Sequence, residues 1–263
     1  MTLDAVVCDL DGVLYRGESV IPGAGEAIRG LRTLGLRLLF LTNNGTKAAA
    51  AVKEKLDGLG IGCAEEEILT AASVTAEEIL RRGLTRKNAF VVGREGIRVE
   101  LRRVGVEILD GEDGQHADLV IVSGDFEFNY EKMHIASSAV RSGATFIASN
   151  DDPTFPDANG LRPGAGAVLA SIEAASGRRA EVMGKPYQPM MEAAARRLQG
   201  ATAIAMVGDQ PGTDLAGARS VGWMTILVLS GVTQQGHLAA LSPKPDLILD
   251  SIAELPEKLA AER

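Results

Sequence analysis

The stretch AVVCDLDG, residues 5–12, decides how the rest of the chain is interpreted. Residues 5–8 are a short apolar run that predicts a buried strand, and Asp9 and Asp11 stand where this strand ends. Side chains two positions apart point to the same side of a strand. Two carboxylates in such a place repel each other unless they share a cation or a proton, and Mg²⁺ prefers oxygen ligands. A pair that only caps a turn is the alternative interpretation.

Outward from this stretch, short aliphatic runs alternate with segments of helical spacing. Apolar residues at helical spacing predict a helix over 23–34, and residues 36–41 predict a second buried strand. The alternation resumes near the C-terminus with a strand at 203–207, a helix at about 213–221 and a strand at 224–229. This order is typical of an α/β fold with a doubly wound, Rossmann-like parallel sheet.

The middle of the chain repeats the alternation on a smaller scale, which predicts a compact α/β insert. The predicted strands are 90–93, 106–108, 119–123 and 145–148, and the predicted helices are 130–140 and 163–176. The polar stretch 110–118 is interpreted as a loop. We therefore predict a core formed by residues 1–79 and 182–263, with a smaller α/β domain over 80–181.

Composition and charge exclude several classes of protein. A formal charge of −8 argues against nucleic acid as a partner, because binding to a phosphate backbone needs a surplus of Lys and Arg. Cys8 and Cys63 lie far apart and are interpreted as reduced packing residues. The N-terminus has no basic region before its short apolar stretch, and no run of 18 apolar residues occurs. We expect a cytoplasmic protein that does not bind or span a membrane.

Polar residues follow two further predicted strand ends. Thr42, Asn43 and Asn44 come after the second strand, where hydroxyl and backbone N–H groups can hold phosphate oxygens, although Asn-Gly at this point is commonly just a turn. Asp209 follows the strand at 203–207 and suits an oxygen ligand of a metal. Asp214, near a helix start, is either a ligand in the second shell of such a metal or a capping charge.

Lys185 lies between the insert and a helix that is predicted to start near residue 188. A lysine aimed into a group of carboxylates would neutralise a nucleophilic aspartate and a phosphate together. A solvated loop lysine is the alternative interpretation of this residue.

Taken together, these motifs resemble those of the haloacid-dehalogenase-like phosphatase superfamily, in particular its NagD-like or p-nitrophenylphosphatase-like subgroup. The motifs that carry the resemblance are Asp9-x-Asp11-Gly12, Thr42-Asn43-Asn44, Gly184-Lys185-Pro186, and Gly208-Asp209 with Asp214. The resemblance covers nearly the whole chain, since the insert falls where the subgroup carries its C2-type cap domain. The sequence departs from related ones at residue 151 and over 210–212, which leaves the catalytic motifs intact.

The resemblance implies a Mg²⁺-dependent phosphatase. Asp9 would attack phosphorus to give an aspartyl-phosphate, and Asp11 would protonate the leaving alcohol and then activate water. The ion would be held by Asp9, the backbone carbonyl of Asp11, and Asp209, with Asp214 holding the metal-bound waters.

Further roles follow from the same resemblance. Thr42 and the Asn43 backbone would bind the phosphoryl group, Lys185 would supply positive charge, and Asn44 would orient Asp11 or its own loop. Asn150 and Asp152 of the cap would contact the substrate, which is expected to be a small phosphorylated metabolite such as a sugar phosphate, glycerol phosphate or nucleoside monophosphate. The subgroup also frequently forms homodimers through its cap.

Other chemistries are less compatible with these residues. A haloacid dehalogenase needs neither the second acid Asp11 nor a metal site. A phosphotransferase or mutase shares the first half-reaction and stays an alternative, since the motifs do not settle whether water or a sugar hydroxyl accepts the phosphoryl group. A silent phosphate-binding protein would need no complete set of catalytic groups. The Gly-rich turns at 23–25 and 164–166 do not complete a dinucleotide-binding fingerprint, Pro186 after Lys185 removes a nucleotide-triphosphate loop, and the scattered histidines form no zinc spacing.

Overall fold

The computed structural model describes residues 3–157 and 160–261, so the first two residues, which the prediction about the N-terminus used, lie outside the described residues. In chain order, the strands are β1 (Ala5–Asp9), β2 (Tyr15–Arg16), β3 (Ser19–Val20), β4 (Arg37–Thr42), β5 (Ile68–Thr70), β6 (Asn88–Val92), β7 (Glu107–Leu109), β8 (Leu119–Val122), β9 (Thr145–Ala148), β10 (Thr154–Asp157), β11 (Gly160–Pro163), β12 (Glu181–Val182), β13 (Ile204–Gly208), β14 (Met224–Val228) and β15 (Leu247–Leu249).

The α-helices occupy the connections between these strands. In chain order, they are α1 (Ala24–Thr33), α2 (Ala49–Gly58), α3 (Ala71–Arg81), α4 (Glu95–Arg103), α5 (Tyr130–Arg141), α6 (Ala165–Ser176), α7 (Gln188–Arg197), α8 (Ala216–Ser220) and α9 (Leu255–Ala261). None of the helices in the described part of the chain is long and apolar enough to cross a membrane.

The described chain divides into two compact units. Unit 1 comprises residues 1–42, 50–69 and 185–263, and unit 2 comprises residues 43–49 and 70–184. The predicted insert starts at residue 80, whereas unit 2 starts at Thr70 and also takes in the separate segment 43–49. The division into core and cap by function stays a prediction.

Unit 1 is built on a sheet in the order β15-β14-β13-β1-β4-β5. β1 pairs in parallel with β13 on one side and with β4 on the other, and β13, β14 and β15 continue in parallel. The chain thus winds outward from β1 in one direction and from β13 in the other, which confirms the doubly wound sheet. Ligands of such sheets bind outside the carboxyl ends of the strands where the order reverses, here β1 and β13.

The central strands of unit 1 are buried along their whole length because helices cover the sheet. All five residues of β1 and all five of β13 are buried, as expected for parallel strands with continuous apolar runs. α1 buries the apolar residues Ala24, Ala27, Ile28 and Leu31, which recur at helical spacing. It ends before Gly35, whose φ of 77° allows the left-handed turn that closes the helix.

Unit 2 has its own parallel sheet in the order β12-β9-β8-β6-β7, so the prediction of a second α/β unit is confirmed. A separate antiparallel pair, β10 and β11, follows β9 in the chain. Apolar residues of the sheet and of α5 and α6 form one buried core, which includes Phe90, Val120, Ile135, Phe146 and Ile172.

The segment 43–49 belongs to unit 2 because it fits closely against that unit. A side chain at Gly96 would overlap the backbone of Thr46 and Lys47, and a side chain at Gly45 would meet Ser123 and Ser149. The buried carboxylate of Glu100 accepts a hydrogen bond from the backbone N–H of Ala49 at 3.0 Å. These contacts join residues far apart in sequence, so local patterns gave no indication of them.

The prediction of a loop over 110–118 is wrong in part, because residues Gly111–His116 form a 3₁₀-helix. The physical reason is packing. Gly114 is buried, and a side chain there would overlap the Phe90 ring and Ile135. A polar sequence therefore forms a helical turn where one glycine allows close approach to the core.

Glu78 is a buried carboxylate of unit 2 with two arginine partners. It is 4% exposed and accepts hydrogen bonds from Arg81 at 2.6 and 2.8 Å and from Arg82 at 2.7 Å. Arg82 also donates to Glu181, the first residue of β12, which ties the end of α3 to the sheet edge. The guanidinium of Arg81, with that of Arg82, lowers the pKa of Glu78 from 4.5 to about 2.

We predict that Glu78→Gln lowers the free energy of unfolding at pH 7 by about 2 kcal/mol, because two charge-assisted contacts are lost. Since the pKa of Glu78 is lower in the folded state, its contribution is complete above the ordinary value of 4.5 and disappears as the pH falls toward 2. Urea unfolding at pH 7 and pH 4 should therefore show a smaller difference between wild type and variant at pH 4. Glu112→Gln, at an exposed site, is the control, and a difference independent of pH would contradict the prediction.

Candidate active site

Acidic residues converge at the carboxyl edge of the sheet of unit 1. Asp9 is the last residue of β1, and Asp209 directly follows β13, its neighbour in the sheet. Thr42 ends β4 on the other side of β1, one residue beyond the Leu41 that pairs with Asp9. The reversal of strand order thus brings three predicted site residues together at the place where such sheets bind ligands.

A buried lysine lies between two of the carboxylates. The Lys185 Nζ donates to Asp9 Oδ1 at 2.5 Å and contacts Asp214 Oδ1 at 2.8 Å. Lys185 is 3% exposed, Asp9 5% and Asp214 1%, so the three charges are removed from water together. The alternative of a solvated loop lysine is therefore wrong, since buried charges persist only when they are paired.

Asp214 holds the loop that follows β13. It lies in a π-helical turn over Pro211–Leu215, and its Oδ2 accepts the backbone N–H groups of Asp209 at 3.2 Å and Gln210 at 3.0 Å. With Oδ1 against Lys185, both of its oxygens have partners within unit 1. The N–H groups that Asp214 accepts precede it in the chain, so this side chain orders the loop after β13 and contacts the buried lysine rather than forming a side-chain cap of the helix that follows.

The third carboxylate, Asp209, is fixed through one of its oxygens. Its Oδ2 accepts the backbone N–H of Val232 at 2.6 Å. Gly12 and Gly231 lie against this side chain so closely that a Cβ at either position would overlap its carboxyl group. No described residue donates a hydrogen bond to the buried Oδ1 of Asp209.

These side chains fit a divalent cation. Carboxylate oxygens of Asp9, Asp209 and Asp214 lie within 4.8 Å of one another. When all are ionised, the three carboxylates and the Lys185 ammonium carry a net charge of −2, which one Mg²⁺ would balance. An all-oxygen set suits a hard ion of this kind, and the buried Asp209 Oδ1 needs such a partner.

Burial and mutual repulsion disturb the titration of this group. Burial raises the pKa of Asp9, while the ammonium of Lys185 opposes this shift. Burial, with the nearby Asp214, likewise raises the pKa of Asp209. Burial alone would lower the pKa of Lys185, but the carboxylates of Asp214 and Asp9 outweigh it and raise the pKa. A bound cation would favour the ionised carboxylates.

Asp11 has a different environment from Asp9. It is half-buried, and its Oδ2 accepts a hydrogen bond from the hydroxyl of Tyr15 at 3.3 Å. Tyr15 is 4% exposed and begins the short antiparallel pair β2–β3. The sequence analysis did not identify Tyr15, although an aromatic residue four positions after an acid pair was the signal available for it.

The remaining predicted site residues form a network within unit 2. The side chain of Asn43 donates to Asp152 Oδ2 at 3.0 Å, and the side chain of Asn150 donates to the backbone carbonyl of Asn43 at 2.7 Å. Asn44 accepts the backbone N–H and the hydroxyl of Thr46 at 2.9 and 2.6 Å. Asn44 therefore orients its own loop, which was one of the two roles considered for it.

Comparison with known proteins agrees with this arrangement. Residues 6–107 match the family model described as haloacid dehalogenase-like hydrolase, and residues 182–255 match a second model of HAD-like hydrolases. The chain is 34% identical over 256 residues to the 5'-nucleotidase YutF of Bacillus subtilis, a match that covers 96% of this chain and 97% of that protein.

Two solved structures have the same fold over nearly the whole chain. The p-nitrophenyl phosphatase of Archaeoglobus fulgidus superposes with a TM-score of 0.92 at 33% identity, covering 98% of this chain and all of that one. The glycerol phosphate phosphatase Rv1692 of Mycobacterium tuberculosis, solved in complex with magnesium, gives a TM-score of 0.88 at 29% identity, covering 97% of this chain and 77% of that one. This chain belongs to the haloacid-dehalogenase-like hydrolases, within their NagD-like and p-nitrophenylphosphatase-like subgroup.

Proposed function

We propose that this protein is a magnesium-dependent phosphomonoester hydrolase that works through an aspartyl-phosphate on Asp9. The observation that carries the proposal is the buried contact of Lys185 with Asp9 and Asp214, together with the buried Oδ1 of Asp209, to which no described residue donates a hydrogen bond. This group offers a nucleophile, a fixed positive charge and a site for a divalent cation in one buried place. The phosphatases among its relatives support the same conclusion.

In the first half-reaction, a carboxylate oxygen of Asp9 forms a bond to phosphorus while the bond from phosphorus to the leaving oxygen breaks. Asp11 gives its proton to that oxygen, so a neutral alcohol leaves. Lys185 holds the Asp9 carboxylate in position and contributes positive charge next to the phosphoryl group. Thr42, at the end of the neighbouring strand, would bind a phosphoryl oxygen together with the Asn43 backbone.

In the second half-reaction, Asp11 takes a proton from water as the water oxygen attacks phosphorus. The bond between phosphorus and Asp9 then breaks and phosphate leaves, so each residue returns to its starting state. Asp9, the backbone carbonyl of Asp11, and Asp209 would hold the magnesium ion, and Asp214 would hold its waters. An ion held there would neutralise charge that develops on the phosphoryl oxygens.

The substrate is proposed to be a small phosphorylated metabolite, with a sugar phosphate, glycerol phosphate or nucleoside monophosphate as the classes to test. Recognition that rests on the phosphate discriminates little between alcohols. We propose that unit 2 makes this choice through Asn150 and Asp152, which the hydrogen bonds with Asn43 hold in one network.

Phosphate release from a panel of phosphomonoesters, with and without magnesium, tests the central proposal. We expect magnesium-dependent release by the wild type and a loss of at least about 10³-fold for Asp9→Asn, because the amide is no nucleophile. Asp113→Asn, at an exposed position, is the control for the substitution itself. Absence of release from every ester by the wild type would instead favour a transferase or a silent binding protein.

Magnesium affinity tests the proposed ligands. Asp209→Asn keeps the size of the side chain between Gly12 and Gly231 but removes its charge, so we expect magnesium to bind at least about tenfold more weakly. Isothermal titration calorimetry in the absence of substrate measures this directly. An affinity equal to that of Asp113→Asn would contradict the role of Asp209.

Substrate preference tests the role of unit 2. Asp152→Ala removes the acceptor of the Asn43 side chain, and we expect the ratio of kcat/KM between two esters of the panel to change roughly tenfold. Magnesium affinity should stay unchanged. A uniform decrease for every ester would show that Asp152 serves stability rather than choice of substrate, and Asp113→Ala supplies the baseline.

A further inference from the structure

In the proposed mechanism, the carboxyl proton of Asp11 must point toward the leaving oxygen. A hydrogen bond to the Asp11 side chain can fix that orientation. A carboxyl group that acts first as an acid and then as a base must keep one oxygen aimed at the reacting atoms. The Asp11 side chain is half-buried, and the hydroxyl of Tyr15 reaches its Oδ2 at 3.3 Å. A donor at Oδ2 makes that oxygen the acceptor, so the carboxyl proton belongs on Oδ1.

Tyr15 is itself rigidly held. The backbone N–H of Gly12 donates to the carbonyl of Tyr15 at 2.8 Å, and the N–H of Tyr15 reaches the carbonyl of Leu10 at 3.3 Å. The tyrosine also pairs with Val20 across the β2–β3 turn. The loop that carries Asp11 and the residue that bonds its side chain are therefore one small closed structure.

Lys55 of α2 also contacts the Tyr15 ring. Its ammonium lies 3.8 Å from the centroid of the Tyr15 ring and donates to the carbonyl of Gly17 at 2.6 Å. The Lys55 side chain is only 15% exposed. A cation over the ring face stabilises the aromatic ring in place.

We propose that Tyr15 is a positioning residue that directs the proton of Asp11 toward the leaving oxygen. This inference rests on the proposed function, because it concerns the acid and base step of that reaction. Tyr15 neither gains nor loses a proton. It donates to Oδ2 throughout, while the proton on Oδ1 passes to the leaving oxygen and is later replaced by one from water.

The dependence on the leaving group separates this role from a structural one. A poor leaving group, such as the alcohol of glycerol phosphate, needs the proton of Asp11, whereas p-nitrophenolate leaves with little help. We expect Tyr15→Phe to lower kcat/KM roughly tenfold for glycerol phosphate and less than about twofold for p-nitrophenyl phosphate. Asp11→Asn should show the same selectivity at larger size. Tyr130→Phe, in which the tyrosine is 78% exposed, is the matched control and should change neither value.

A second variant keeps the tyrosine and changes its support. Lys55→Met removes the ammonium from the ring and should produce the same selective loss at about threefold. Equal losses for both esters in both variants, or no loss, would overturn the inference while the activity of wild type and the inactivity of Asp9→Asn keep the proposed function intact. Absence of release from every ester of the panel by the wild type would overturn the proposed function and this inference with it.

Discussion

The candidate site depends on one buried ammonium that two carboxylates share. Lys185 contacts Asp9 at the end of β1 and Asp214 after β13, and all three are removed from water. Taking such charges out of water costs several kcal/mol for each ion unless the partners are well placed. Asp214 also accepts a hydrogen bond from the backbone N–H of Asp209. The Asp214 side chain therefore orders the loop that carries the third carboxylate.

This group of buried side chains is suited to bind additional positive charge. The three carboxylates and Lys185 leave an excess of negative charge, and Asp209 keeps one buried oxygen for which no described residue supplies a donor. A protein that only needed stability would have little use for such an oxygen, since an unpartnered polar atom in the interior is costly. Groups fixed in advance around developing charge are the main source of electrostatic catalysis.

Two carboxylates only two residues apart have different neighbours, and this difference suits different roles. Asp9 faces an ammonium, which favours the ionised form that the proposed attack on phosphorus requires. Asp11 accepts a hydrogen bond from the neutral hydroxyl of Tyr15, and the proposed mechanism gives it the acid and base role. Separate environments for paired acids are the usual way in which one site supplies both a nucleophile and an acid.

The sequence by itself determined the alternation of strands and helices, the α/β class and the family, because these follow from local periodicity and from motifs such as the one around Asp9 and Asp11. The sequence analysis nevertheless missed the 3₁₀-helix at Gly111–His116, because a polar sequence does not show that Gly114 is packed against the core. Only the tertiary structure decided that segment 43–49 joins unit 2, that Lys185 is buried against Asp214, and that the Tyr15 hydroxyl reaches Asp11. Such facts depend on sheet order and on side-chain packing between segments, and no local pattern encodes a distance between them.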